Sequence, residues 1–229
     1  MADLKSGLKR EEAYLTALRR DFHRHPELGL REFRTAQRIE EELDRFGISH
    51  TRVGKTGVLG ILRGSGTGEG VVVLRAGIDA LPIQETNETE YCSQTPGVMH
   101  ACGHDVHIAC LLGAAKLLAE YRTEFGGEVR VIFQPAAEIG QGAKPFVEAG
   151  ALDGAERVFG LHTAPDLTVG TVSLTPGLNN AAVDHFRIAV RGKSSHVATP
   201  QLGVDALYIA SQIVVALQAL VTRLISPVE

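Results

Sequence analysis

The chain has 229 residues, 44% of them hydrophobic and 22% charged, with a formal net charge of −4. That balance is ordinary for a globular protein of one large or two small domains, and it shows no basic patch of the kind that nucleic acid or anionic lipid demands. The most apolar stretch, ALYIASQIVVALQAL, is shorter than a bilayer span and carries Gln212 and Gln218, so it reads as a buried helix rather than a membrane segment.

The first residues lack the apolar run and cleavage site of a secretory signal. Three cysteines, Cys92, Cys102 and Cys110, cannot all pair with one another, so reduced thiols and a cytoplasmic location are expected. Residues near Arg10 to Phe46 are predicted as two helices separated by HPELGL. Leu15, Leu18 and Phe22 fall at helical spacing, as do Ala36, Ile39 and Leu43. Pro26 and Gly29 punctuate between them, and Gly47 stands where a helix C-cap belongs.

Strands are predicted at TGVLGILRG, GVVVLRAGID and GEVRVIFQP, with GSGTGEG as a hairpin-like loop between the first two. HIACLLGAAKLLAEY reads as a helix, KPFVEAGAL as another, and RVFGLHTAP as a short strand ending at His162. The alternation implies an α/β fold with helices on both faces of the sheet. After TPGLNNAAV the character changes. DHFRIAVRG alternates like a half-buried strand, and Asp205 to Leu224 reads as one helix. A boundary near Asn180 follows, with residues 181–229 too few to bury a core alone.

The chemistry concentrates in GVMHACGHDVH, Gly97 to His107. A thiolate and an imidazole suit zinc and its neighbours. Cys102 and His104 are two apart, which in an extended segment puts them on one side, and Gly103 between them lets the backbone fold close to an ion. Asp79, Glu138 and His162 follow predicted strands, and in open α/β sheets sites gather beyond the carboxyl ends of the strands. Taken singly, each of these reads better as a solvated loop residue; it is their occurrence together with the Cys-x-His pair that points to a site.

HRHPELG, DALPIQE, MHACGHDVH, FQPAAEIGQGA, GLHTAP and SSHVATPQLGVD occur here in the order found in the metallo-amidohydrolase family of aminoacylases and hippurate hydrolases. That family also includes auxin-conjugate hydrolases and N-acetyldiaminopimelate deacetylases. The chain resembles its N-terminal part. The resemblance implies a zinc-peptidase-like mixed sheet in residues 1–180, as the N-terminal part of a metal-dependent catalytic domain. Residues 181–229 would then start an inserted α+β lid or dimerisation domain. It also implies two divalent metals per subunit (Zn, Mn, Co or Ni), an N-acyl amino acid substrate and a homodimer. Cys102, His104, Glu138 and His162 correspond to its metal ligands and Asp79 to a carboxylate that orients a ligand histidine. His196 corresponds to a lid histidine that stabilises the oxyanion in a partner subunit. His23, His25, His100, Asp105 and His107 would play supporting roles.

Three departures stand out. The family's Gln-Pro-Ala-Glu-Glu-Gly reads Gln134, Pro135, Ala136, Ala137, Glu138 here, so the position of the general base is Ala137. A methyl group carries no proton, and loss of a positioned base costs about 10²–10⁴ in rate. Gly77 stands where the family's Arg-Ala-Asp-Met-Asp has its first carboxylate, and relatives run on beyond Glu229. The family assignment therefore predicts an amidohydrolase with one disabled step. Two alternatives are a non-catalytic metal- and ligand-binding protein and a dimerisation module built on the Asp205–Leu224 helix.

Overall fold

The computed structural model describes residues 4–174, 176–177 and 186–220. Two helices come first, α1 (Leu4–Arg24) and α2 (Phe33–Arg45). Strands β1 (Ser49–Val53), β2 (Gly57–Arg63) and β3 (Val71–Gly77) follow, then α3 (His104–Glu120), β4 (Glu128–Gln134), α4 (Ala143–Glu148) and β5 (Ala155–Gly160). After a turn of 3-10 helix at Pro200–Leu202 comes α5 (Ala206–Ala219). The chain divides into two compact units, residues 1–166 and 167–229. The boundary expected near Asn180 lies outside the described residues.

The five strands form one mixed sheet in the order β1-β2-β4-β3-β5. β1–β2 and β2–β4 are antiparallel, whereas β3 is parallel to both β4 and β5. Alternation along the strands divides the core in two. Val58, Leu62, Ala76, Val131 and Phe133 point to one face, where they pack with Phe22 of α1, Ile39 and Leu43 of α2, and Ile108 and Leu112 of α3. Leu59, Val73 and Ile132 point to the other and pack with Phe146 of α4 and Ala151. Helices thus cover both faces, and the carboxyl ends of β3, β4 and β5 lie along one edge.

The structure corrects three expectations. GSGTGEG does not close a hairpin, because β4 lies between β2 and β3. The loop lies against residues 122–127 instead, with the Gly64 N–H donating to the Gly127 carbonyl at 3.0 Å and the Gly66 N–H to that of Phe125 at 2.9 Å. A Cβ on Gly64 would stand 2.2 Å from the Phe125 oxygen. The glycine serves a close backbone approach rather than a tight turn. DHFRIAVRG forms no strand over its described residues 186–192; the β pairing among the described residues of the second unit is an isolated bridge between Lys193 and Val204. An alternating pattern becomes a strand only when a ladder partner is present. Helix α5 is present and Asp205 caps it, its Oδ1 accepting from the Leu207 and Tyr208 N–H groups at 2.9 and 3.0 Å. It is not a buried helix: Leu207, Val214 and Val215 are exposed. The described residues of the second unit offer it no sheet to pack on. Its expected last turn, to Leu224, lies outside the described residues.

β1 was not anticipated. SHTRV has no apolar run, and it is a strand because it pairs with β2 from Ser49↔Ile61 to Val53↔Gly57 at the sheet edge. No helix among the described residues is long and apolar enough to cross a membrane. Leu112 is fully buried in the larger core. Leu112→Ala is expected to lower stability by about 2–5 kcal/mol in denaturant titrations; a change near zero would show that α3 does not pack as described.

Candidate metal centre

Asp79 follows β3 by two residues, Glu138 follows β4 by four, and His162 follows β5 by two. Because these strands are parallel, all three side chains arise at the same sheet edge. Cys102 and His104 reach that edge from the start of α3. Gly103 between them has φ +80°, and a Cβ there would stand 2.4 Å from Thr163 Oγ1. Only glycine fits that turn.

The ligand atoms of Cys102, His104 and His162 lie within 4.8 Å of one another. Cys102 Sγ is 3.4 Å from His162 Nε2. His104 Nδ1 donates to the Asp79 backbone oxygen at 2.9 Å and to its Oδ1 at 3.1 Å. His162 Nδ1 donates to the Thr163 carbonyl at 2.7 Å. With the proton held on Nδ1, each ring turns an Nε2 lone pair inward. Glu138 Oε1 is 3.7 Å from His104 Nε2 and is buried without a hydrogen-bond partner. A cysteine, two imidazoles and an unpartnered carboxylate oxygen form a donor set suited to zinc and neighbouring transition metals. A Cβ on Gly77 would be 2.9 Å from His104 Cε1, so the imidazole occupies the space above that glycine.

Burial and then Glu138 push the Cys102 thiol up to about 11. Metal uptake here must therefore displace a proton. Burial opposes a charge on His104, but the bonds to Asp79 more than offset it and its pKa is raised.

Supporting groups hold these residues in place. The Thr163 N–H donates to His107 Nε2 at 3.0 Å, and its hydroxyl donates to the Cys102 carbonyl at 3.2 Å. Thr163 thereby ties the His162 segment to α3. Burial, then the neighbouring His104 and His162, lower His107 to about 4, which keeps Nε2 an acceptor near neutral pH. Burial likewise holds His100 at about 4, and both of its ring nitrogens are buried without partners. His25 Nδ1 donates to the Asp21 carbonyl at 2.8 Å, closing the end of α1.

His23 links three segments. Its Nδ1 lies 2.7 Å from Asp105 Oδ2 and its Nε2 3.1 Å from Glu85 Oε1. A carboxylate facing each ring nitrogen favours the doubly protonated ring, which can donate from both. Arg19 Nε reaches the same Asp105 oxygen at 2.8 Å. This joins α1, the first turn of α3 and the loop after Glu85. A cleft of about 680 Å³ runs from Cys102, Gly103 and His162 to Arg19, Asn87 and Tyr91.

Of the anticipated residues, Cys102, His104, His162, Glu138 and Asp79 come together. Ala137 lies half-buried in the turn after β4, where its carbonyl accepts from the Gly140 N–H at 3.1 Å. His196 belongs to the second unit, is exposed, and accepts the Ala198 N–H on Nδ1 at 3.1 Å. Thr163 and Glu85 were not singled out from sequence, although both lie inside quoted motifs, GLHTAP and DALPIQE.

The sequence profile of Peptidase family M20/M25/M40 matches residues 73–227. The chain belongs to this family. It is 46% identical over 219 residues to an N-acetyl-L-cysteine deacetylase of Bacillus subtilis, covering 95% of this chain and 52% of that protein. It is 45% identical over 215 residues to an N-acyl-L-amino acid amidohydrolase of Geobacillus stearothermophilus, covering 93% and 58%. A crystal structure of a dinuclear metal binding M20 peptidase from Bacillus subtilis superposes with a TM-score of 0.70 at 45% identity, over 74% of this chain and 48% of that one. This M20 chain thus spans about half the length of the curated relatives it matches.

The His23 bridge gives a pH dependence with a definite sign. The pKa of His23 is raised, above all by Asp105. Its contribution is complete below its ordinary value of 6.5 and is lost as pH rises through the folded value. Asp105 and Glu85 are lowered, so their share is lost on the acid side. The stability gap between the natural protein and His23→Gln, measured in denaturant, is expected to be larger at about pH 6 than at about pH 9. A gap that grew with pH would exclude the imidazolium bridge.

Proposed function

We propose that the whole protein is a metal-dependent amidohydrolase that cleaves N-acyl amino acids, and that this chain supplies most of its metal centre. The observation that carries this is the convergence of Cys102, His104 and His162 beside the unpartnered Glu138 Oε1. Names of relatives at 45–46% identity support the amide chemistry.

In this reading Cys102, His104, Glu138 and His162 hold two divalent ions per subunit, drawn from zinc, manganese, cobalt and nickel. Such ions, when bound, lower the pKa of water and polarise an amide carbonyl. The chain's own residues do the rest. Asp79 keeps the His104 proton on Nδ1, so Nε2 stays a ligand. The cleft beside Cys102 and His162 admits the substrate. Residues 1–180 belong to the catalytic domain and 181–229 to a lid through which two subunits pair. His196 would stabilise the oxyanion in the partner's site. The protein acts in the cytoplasm.

Ala137 favours a second reading. An aliphatic side chain at the position of the proton acceptor leaves a centre that binds metal and ligand without turnover. Two experiments separate the readings. Elemental analysis of the purified protein is expected to show bound divalent metal that is reduced in Cys102→Ser; none above background would remove the metal centre. Ala137→Glu in the whole protein is expected to raise amide hydrolysis by about 10²–10⁴. No gain, with metal still bound, would favour the binding role.

A further inference from the structure

We infer that Glu32 is a positioning residue for the centre: its buried carboxylate holds Ala136 in the left-handed conformation that starts the turn carrying position 137 and Glu138. Glu32 is fully buried. Its Oε1 accepts the Ala136 N–H at 2.8 Å, across 104 residues of sequence, and its Oε2 accepts the Thr56 hydroxyl at 2.7 Å. It occupies the N-cap position of α2, where the helix dipole favours a carboxylate.

The turn it meets is unusual. Ala136 has φ +50°, one of only two non-glycine residues with positive φ among the described residues. An L side chain adopts that region only when the surroundings impose it. Gly29, in the HPELG segment leading to Glu32, passes close to the same residue, since a Cβ there would stand 3.1 Å from Ala136 Cα. The turn then closes on itself. The Gly140 N–H donates to the Ala137 carbonyl and the Gln141 N–H to the Ala136 carbonyl, both at 3.1 Å. Its far side is tied to the centre, with the Glu138 N–H donating to Asp79 Oδ2 at 2.9 Å. Glu32 at the entry and Asp79 on the far side therefore fix the segment between them. Glu32 is not in the donor set, so it acts only through that segment.

The test uses the full chain. Its first readout, amide exchange by NMR on metal-free protein, is independent of the proposed metal role; its second, Co(II) affinity and the thiolate-to-cobalt absorption band, rests on it. Glu32→Ala is expected to speed exchange at Glu138, Gly140 and Gln141 by about tenfold or more, as for loss of a buried hydrogen bond, and to weaken Co(II) binding similarly. Amides of Ile39 and Leu112 keep their rates. Glu32→Gln, which retains an acceptor oxygen, keeps both properties. Ala136→Gly in the Glu32→Ala background restores protection and cobalt binding, because glycine needs no enforcement at positive φ. Unchanged turn exchange in Glu32→Ala, or no rescue by Ala136→Gly, overturns the inference and leaves Glu32 as a support for α2. Should Glu32→Ala not fold, Ala136→Val decides: a β-branched residue at that φ is expected to open the same amides with Glu32 intact, and unchanged rates overturn the inference. If the unaltered chain takes up no cobalt, the metal reading fails while the exchange data still decide the role of Glu32.

Discussion

The centre hangs on the way one buried carboxylate divides its two oxygens. Asp79 is 1% exposed, and its Oδ1 accepts from His104 Nδ1 while its Oδ2 accepts from the Glu138 N–H. β3 runs between β4 and β5, so Asp79 at its end can reach both a helix start and the turn after the neighbouring strand. Burial alone would raise its pKa, but the hydrogen bonds from His104 and Glu138 prevail and lower it. A buried charge survives when each oxygen is paired, and here the pairing also sets the orientation of two candidate ligands.

Small residues provide the remaining geometry. Gly77 leaves room for the His104 ring, and Gly103 lets the Cys102–His104 turn pass Thr163. Position 137 differs in kind. The turn that contains it is held by backbone hydrogen bonds, by Glu32 and by Asp79, and none of these uses the side chain at 137. The shape of the centre and the proton transfer assigned to that position are therefore physically separable. A chain can retain the first and lack the second.

The His23 bridge and the Thr163 bonds apply the same principle from the helical side. α3 begins with a residue that would bind metal, and its first turn is secured by Asp105 to α1 and by His107 to the segment of His162. Rigid supports of this kind keep ligands in place before a metal arrives, which lowers the ordering cost of binding.

Much of this was legible in sequence, for local reasons. Helical spacing at Leu15, Leu18 and Phe22 and at Ala36, Ile39 and Leu43 marked α1 and α2, and apolar runs bounded by glycine or proline marked β2, β3 and β4. Cys102 and His104 declared themselves by spacing, Asp79, Glu138 and His162 by their places after predicted strands, and the resemblance supplied their roles. By itself the sequence determined the helices α1, α2 and α3 and the strands β2, β3 and β4, the family, and the absence of a carboxylate at Ala137. Only the tertiary structure decided the rest. It decided that β4 enters between β2 and β3, that the polar SHTRV is a strand, that α5 lies exposed, and that Glu32 reaches Ala136 across 104 residues. A periodic pattern records which face of an element is apolar. It does not record which distant strand or hydrogen-bond donor will meet that element, because the meeting is settled by how all the elements pack together.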